Sequence, residues 1–484
     1  MKKFMYYATA IGLCTATLLP TGCATQTSEK SSYELTITYN EQTETVEGTC
    51  AFTFFNDTEN ELSDLKFNLY GNAYREGAQY APVGTSNYTK AFYNGTSYGT
   101  MEISSVENCA GWTIAGDDQN ILCVNLLQSV YPTQTVTVTI AYTLQLAEVN
   151  HRTGVTKNTV NLGNCYPVLC AYDNSEGFIE CVYEQQGDPF LSECADFMVY
   201  ADFPTEYVVA TSGEVKSQSE VDGHTKYTFE QQNARDFALV ISKKFSVVTA
   251  TENGTEISYY YYNDSNPQTN LSVAQQSFAY YEKTFGDYPY STLAIVQTGF
   301  CYAGMEYPAL CMISDSLDSD TAVYTIAHEV AHQWWYAGVG SDQLLNAWQD
   351  EGLAEYSALL FFENHPAYSF TRTGLISTAT KAYRSYFSVY NQLFGKVDTS
   401  MKRNLSSYAG DYEYVNIAYN KGMLLFEYLR QSIGDTKFLQ GLKSYYAGNL
   451  FKIATPDDLF LCYTQGGDDL QGFFDSFLNG KIII

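Results

Sequence analysis

The sequence predicts a multidomain β + α/β architecture, with a β-rich N-terminal domain followed by an α+β domain that turns helical toward its end. Three observations carry this reading. Apolar and polar residues alternate from Tyr33 to about Phe245, the period changes to helical spacing near Val273, and helical patterns dominate after about Asp320. A chain of 484 residues is long enough for two or three domains. Its hydrophobic share of 45% and charged share of 17% place it among folded proteins rather than disordered ones.

The first element is a leader. Lys2 and Lys3 precede an apolar run from Phe4 to Leu19, and Pro20, Thr21, Gly22 and Cys23 follow, the layout of an export signal spanning residues 1–22. A cysteine directly after Thr21-Gly22 resembles the lipobox of bacterial lipoproteins, although Pro20 stands where Leu is usual. That resemblance implies acylation of Cys23 and a chain anchored to the membrane outside the cytoplasm. No later stretch reaches the 18 or so apolar residues of a membrane span.

Residues 23–247 form the β-rich domain. Leu35, Ile37 and Tyr39, and later Val136, Val138, Ile140 and Tyr142, alternate with polar neighbours as half-buried strands require. The 43 tyrosines and 28 phenylalanines suit such pleated faces. Besides Cys14 and Cys23 the chain has ten cysteines, a number that permits disulfides in an exported protein without fixing their pairing. No C-x-x-C pair occurs, which argues against a cysteine-based zinc knuckle.

Residues 248–484 form the second domain. Asn253-Gly254 reads as a hairpin turn leading to a strand with Ile257, Tyr259 and Tyr261 on one face. Val273, Ala274, Ser277, Phe278, Tyr281 and Phe285 recur at helical spacing, closed by Gly286, and Leu293 to Val296 reads as a strand. A net charge of -28 excludes nucleic acid as a partner, because phosphate would be repelled.

The chemistry lies in this second domain. Thr325 to Trp335 contains H-E-x-x-H within a helical pattern whose apolar positions are Val323, Ile326, Ala327, Val330 and Ala331. His328 and His332 are one turn apart and share a helix face, the spacing that lets two imidazoles hold one Zn²⁺, with Glu329 beside them as general base. A catalytic zinc needs a third protein ligand. Trp335 and Gly338 occupy the positions where a metzincin would have Gly and His, whereas Glu351 follows His332 after eighteen intervening residues, in a helical stretch running to about Asn364.

H-E-x-x-H followed at this distance by Trp348-Gln349-Asp350-Glu351-Gly352-Leu353-Ala354-Glu355-Tyr356 resembles the aminopeptidase N family of gluzincin zinc metallopeptidases. Two further stretches are similar to that family. Gly304-Met305-Glu306-Tyr307-Pro308 resembles its G-x-M-E-N element, which implies that Gly304, Met305 and Glu306 bind substrate and that Glu306 takes the free α-amino group. Tyr307 stands where familiar members have Asn. Tyr419-Asn420-Lys421-Gly422 resembles the Y-x-K-G element, which makes Tyr419 the donor to the tetrahedral oxyanion.

More loosely, Tyr166-Pro167, Tyr172-Asp173, Gly187-Asp188-Pro189-Phe190 and Thr211-Ser212-Gly213-Glu214 look like the later part of the family's N-terminal domain. The resemblance implies a thermolysin-like α+β catalytic domain, one zinc on His328, His332 and Glu351, Glu329 and Tyr419 as catalytic residues, and peptides with a free N-terminus as substrates.

Two departures bear on that expectation. Ala358 stands where members carry a carboxylate that orients a ligand histidine, leaving the task to Glu355 or a backbone carbonyl. Phe473 to Gly480 resembles the end of the catalytic domain just before the sequence stops, so the C-terminal helical domain of long members is expected to be missing and the cleft more open. An endopeptidase with an open cleft, and a surface binding lipoprotein without turnover, are the alternatives.

Overall fold

The computed structural model describes residues 30–464 and 470–481, so the export signal and Cys23 lie outside the described residues. The N-terminal domain is built around a seven-stranded sheet. Its order is Glu214–Val221, His224–Ala234, Ala195–Pro204, Ser32–Asn40, Thr45–Phe55, Thr135–Gln145 and Thr100–Glu107. Alternation sets which face is buried: along Ser32–Asn40, Tyr33, Leu35, Ile37 and Tyr39 are inside and the residues between them face solvent. Two four-stranded sheets and the two-stranded pair Tyr172–Asp173 and Gly177–Phe178 complete this domain among the described residues.

The second domain begins with the hairpin Ser246–Glu252 and Thr255–Tyr261, turning at Asn253-Gly254. Both turn residues have positive φ, 49° and 94°, as an Asn-Gly turn requires. A five-stranded sheet follows in the order Ser246–Glu252, Thr255–Tyr261, Thr292–Thr298, Leu310–Ser314, Gly304–Tyr307. Helices Pro267–Phe285 and Ser319–Ala331 cover one of its faces, and the rest of the domain is helical. This is the β-rich domain followed by a thermolysin-like α+β domain that the sequence predicts.

Strand alternation in this sheet joins the two domains. Ile257, Leu293, Ile295, Cys311 and Ile313 pack with the helices of their own domain, whereas Val296, Met305, Tyr307, Leu310 and Met312 pack into the core of the N-terminal domain. A polar chain crosses the same boundary. Tyr307 Oη donates to Asn164 Oδ1 (2.6 Å), Asn164 Nδ2 donates to Asp236 Oδ1 (3.1 Å), and Tyr336 Oη donates to Asp236 Oδ2. Gly163 is obligatory beside it, because a Cβ there would stand 2.1 Å from Tyr307 Oη.

Burial pushes the Asp236 carboxyl up to about 7, against the lowering effects of Tyr336, Arg235 and Asn164. A carboxyl raised in the folded state binds a proton there that the unfolded chain has already lost, so its contribution to stability declines as pH rises from about 4 to about 7. Thermal midpoints of wild type and Asp236→Asn measured across this window should diverge, with the difference moving in the variant's favour as pH rises. Parallel curves would contradict the assignment.

None of the ten cysteines among the described residues is bridged, so the allowance for disulfides is unused. No helix among the described residues is long and apolar enough to cross a membrane.

Candidate active site

Asp318 caps the helix Ser319–Ala331 by accepting from Thr321 N, and Val323, Ile326, Ala327, Val330 and Ala331 bury its inner face. That packing presents His328 and His332 side by side. Just beyond, the backbone widens: Ala337 N bonds His332 O and Val339 N bonds Trp334 O, each spanning five residues, and Trp335 and Tyr336 leave helical dihedrals. The turn brings the Trp335 carbonyl back to His332 Nδ1 at 3.1 Å. His328 Nδ1 lies 3.4 Å from Glu355 Oε1 without a hydrogen bond between them, and Glu355 Oε2 accepts from Tyr324 Oη. A backbone carbonyl thus stands behind His332, and Glu355 lies beside His328. Each leaves Nε2 of its histidine free to be a ligand.

Glu351 arrives on the helix Trp348–Asn364, in its first turn. His328 Nε2 and His332 Nε2 are 3.0 Å apart, and Glu351 Oε2 lies 3.3 and 3.4 Å from them. Ligands at about 2.0–2.1 Å around a tetrahedral zinc stand roughly 3.3–3.4 Å from one another. Glu351 Oε2 accepts no hydrogen bond from any described residue. Five acids are buried nearby, Asp188, Glu306, Glu329, Asp350 and Glu351. Such a concentration of carboxyl groups calls for a cation. Donor chemistry, spacing and charge all fit Zn²⁺.

Two glycines set the approach of the third ligand. A Cβ on Gly352 would lie 2.9 Å from Gly422 Cα, and one on Gly422 would lie 2.9 Å from Gly352 Cα. The helix bearing Glu351 and the segment bearing Tyr419 therefore touch backbone to backbone. Gly352→Ala should lower stability by about 1–3 kcal/mol through overpacking and weaken zinc retention by displacing Glu351. Thermal denaturation and metal content after dialysis against a chelator read the two effects, and a variant matching wild type in both would refute the account.

Tyr419 lies on the π-helical segment Val415–Lys421. Its ring stacks on His328 at 5.8 Å and 11°, and its Oη donates to Glu351 Oε1 at 2.5 Å, which sets the hydroxyl at the edge of the ligand triad. Lys421 holds the segment from below, donating to Thr399 O (2.6 Å) and Phe477 O (2.8 Å).

The strand Gly304–Tyr307 forms the opposite wall. Gly304 and Glu306 face the motif helix, and a Cβ on Gly304 would come 2.2 Å from Glu329 Oε1, so this position admits the base only because it has no side chain. Oxygen and nitrogen atoms of Glu306, Glu329 and His332 lie within 4.8 Å of one another. Burial pushes the Glu329 carboxyl up to about 7, in the range that suits a general base near neutral pH.

Met305, expected among the substrate-binding residues, points the other way. Successive strand residues face opposite sides, so its side chain is fully buried in the N-terminal domain core, where Sδ accepts from Arg152 Nε at 3.0 Å. Tyr307 shares that inward face and is fully buried in the same core.

A cleft of about 530 Å³ runs over His328, Glu329, Tyr419 and Gly304, and the N-terminal domain supplies Arg152, Gln186 and Asp188 to it. Arg152 and Asp188 form a buried ion pair. Sequence reasoning quoted Gly187-Asp188 only for its likeness and missed Arg152 altogether. No spacing marks either residue, because the fold brings them to the cleft from another domain.

Helix-borne histidines, a glutamate from a second helix and a base against a glycine edge strand place this domain in the gluzincin class of metallopeptidases. Residues 269–477 match the model of the peptidase family M1 domain, and this domain belongs to that family.

Among curated relatives, human endoplasmic reticulum aminopeptidase 2 is 25% identical over 245 residues, covering 46% of this chain and 24% of that protein. Leukotriene A-4 hydrolase of Xenopus laevis is 28% identical over 202 residues, covering 39% and 31%. This chain thus spans less than a third of the length of either relative. The crystal structure of an M1 zinc metallopeptidase from Deinococcus radiodurans has the same fold across both domains, with a TM-score of 0.64 at 17% identity and 94% coverage of each chain.

Proposed function

We propose that this protein is a zinc-dependent aminopeptidase that removes the N-terminal residue of peptides outside the cytoplasm, held to the membrane through acylated Cys23. The observation that carries the reading is Glu306. It is only 3% exposed, it is neither ligand nor base, and the only side chain among the described residues that hydrogen-bonds to it is Gln343, at 3.5 Å. Burial and the neighbouring Asp188 push its pKa well up. The α-ammonium of a peptide is a cation of the right size, and binding it one residue from the cut makes cleavage count from the N-terminus. The leader and the Thr21-Gly22-Cys23 pattern support export and anchoring. A mutant of the Deinococcus radiodurans enzyme has been crystallised with a Tyr-Ser-Ala substrate, which supports peptides as the substrate class.

In this reading His328, His332 and Glu351 hold the zinc, which when bound supplies Lewis acidity toward the scissile carbonyl and the attacking water. Glu306 anchors the α-ammonium and fixes the first peptide bond beside Glu329. Glu329 takes a proton from the water as its oxygen attacks the carbonyl carbon, then delivers that proton to the departing amine as the C–N bond breaks. Tyr419 donates its hydroxyl hydrogen to the oxyanion that forms on the former carbonyl oxygen.

The decisive experiment compares aminoacyl fluorogenic substrates with their N-acetylated twins on zinc-loaded protein. Release from the free amines alone is the expected outcome. Cleavage of the acetylated twins would instead indicate the endopeptidase alternative, and no release from any substrate the binding one. Loss of the membrane fraction on Cys23→Ser would test the anchor.

A further inference from the structure

A strap from the N-terminal domain lines part of the cleft through Asn87 and Lys90. Residues 84–92 cross to the catalytic domain, where Ser86 Oγ and Asn87 Nδ2 both donate to Asp411 Oδ2, at 2.7 and 3.0 Å. The strap is a built element. Asn150 bonds the carbonyls of Lys90 and Ala91, through Nδ2 and N, at 2.9 and 2.8 Å, and Val83 and Ala91 are buried in a small core with Tyr74, Val149 and Cys301. Asp411 begins the helical turn that runs directly into the segment bearing Tyr419. The latch thus ties the strap to the segment bearing Tyr419, and Asn87 and Asp411 both line the cleft.

Lys90 sits on this strap and lines the same cleft as Glu329 and Tyr419. The cleft has two Lys or Arg side chains among its described lining residues, and they differ in commitment. Arg152 is buried and paired with Asp188, whereas Lys90 is exposed and enters no ion pair among the described residues. It lines the cleft together with Asn87 and Asp411. In a chain of net charge -28, an uncommitted cation in an acidic cleft selects an anion. In a peptide held by its ammonium at Glu306, the one anion present whatever the side chains is the terminal carboxylate.

We infer that Lys90 receives the C-terminal carboxylate of short peptides and that the Ser86–Asn87–Asp411 latch excludes longer ones, so the substrates are short oligopeptides free at both ends. This rests on the aminopeptidase reading and narrows it to a substrate class.

The test uses the zinc-loaded chain with a tripeptide free acid, its C-terminal amide, and a decapeptide beginning with the same three residues. Wild type should show a KM for the acid about tenfold below that for the amide, the worth of one charge-assisted contact. Lys90→Met should collapse this difference through KM, with kcat for the acid retained. Asp411→Ala should raise kcat/KM for the decapeptide several-fold relative to the tripeptide. An acid-to-amide ratio that is the same in wild type and Lys90→Met, or a decapeptide ratio indifferent to Asp411→Ala, overturns the inference. Turnover of the amide by wild type shows that the aminopeptidase reading stands whichever way these ratios fall, whereas no N-terminal residue released from any of the three removes that reading itself.

Discussion

Glu329→Gln is expected to lower kcat by about 10²–10⁴-fold, the usual worth of a positioned general acid–base group, while zinc content stays at the wild-type level. The substitution is nearly isosteric and leaves His328, His332 and Glu351, the proposed ligands, untouched. What it removes is the ability to accept a proton. Glu329 Oε2 takes no hydrogen bond from any described residue, and the residue is only 4% exposed. The contact with Gly304 should persist, since the amide has the same shape, and KM should therefore move little. Steady-state kinetics with metal analysis on the same preparation decides the matter. A variant that retains a tenth of wild-type kcat would show that the proton goes elsewhere.

Tyr419→Phe is expected to lower kcat by about 10²–10³-fold, the range observed when one oxyanion donor is deleted. Burial, followed by the charge of Glu351, raises the pKa of this phenol well above its usual value, so it remains a donor throughout the neutral range. The ring packs on His328, Tyr414 and the neighbouring core, and Phe preserves those contacts. The fold and the triad should survive. The loss should fall on kcat and leave KM for the free-amine substrate nearly unchanged, because the donor is needed where charge develops and not where the ammonium is held. A rise in KM with kcat intact would make Tyr419 a ground-state contact and assign the oxyanion to another group.

Much of the site was legible because local periodicity encoded it. Two histidines four apart on an amphipathic helix must share a face, and the buried pattern Val323, Ile326, Ala327, Val330, Ala331 fixes which face that is. The change from alternation to helical spacing likewise marked the passage from one domain to the next. Glu351 and Tyr419 needed more than spacing, and only resemblance singled Tyr419 out among 43 tyrosines. Met305 shows the limit of carrying a motif over as a block: the strand's two-residue period divides Gly304 and Glu306 from Met305 and Tyr307, and only the first pair faces the motif helix.

By itself, then, the sequence determined the class of each domain, the helix that carries the two histidines and its base, and the chemistry those residues offer, since these follow from periods of two and 3.6 residues and from side-chain type. The tertiary structure alone decided what meets them. The Gly352–Gly422 contact that lets Glu351 close the triad, the Trp335 carbonyl and Glu355 behind the histidines, and Arg152, Asp188 and Lys90 delivered from the N-terminal domain all join positions distant along the chain. No local period records such meetings, because they are set by how two sheets and a helical layer pack, and packing is a property of the whole chain.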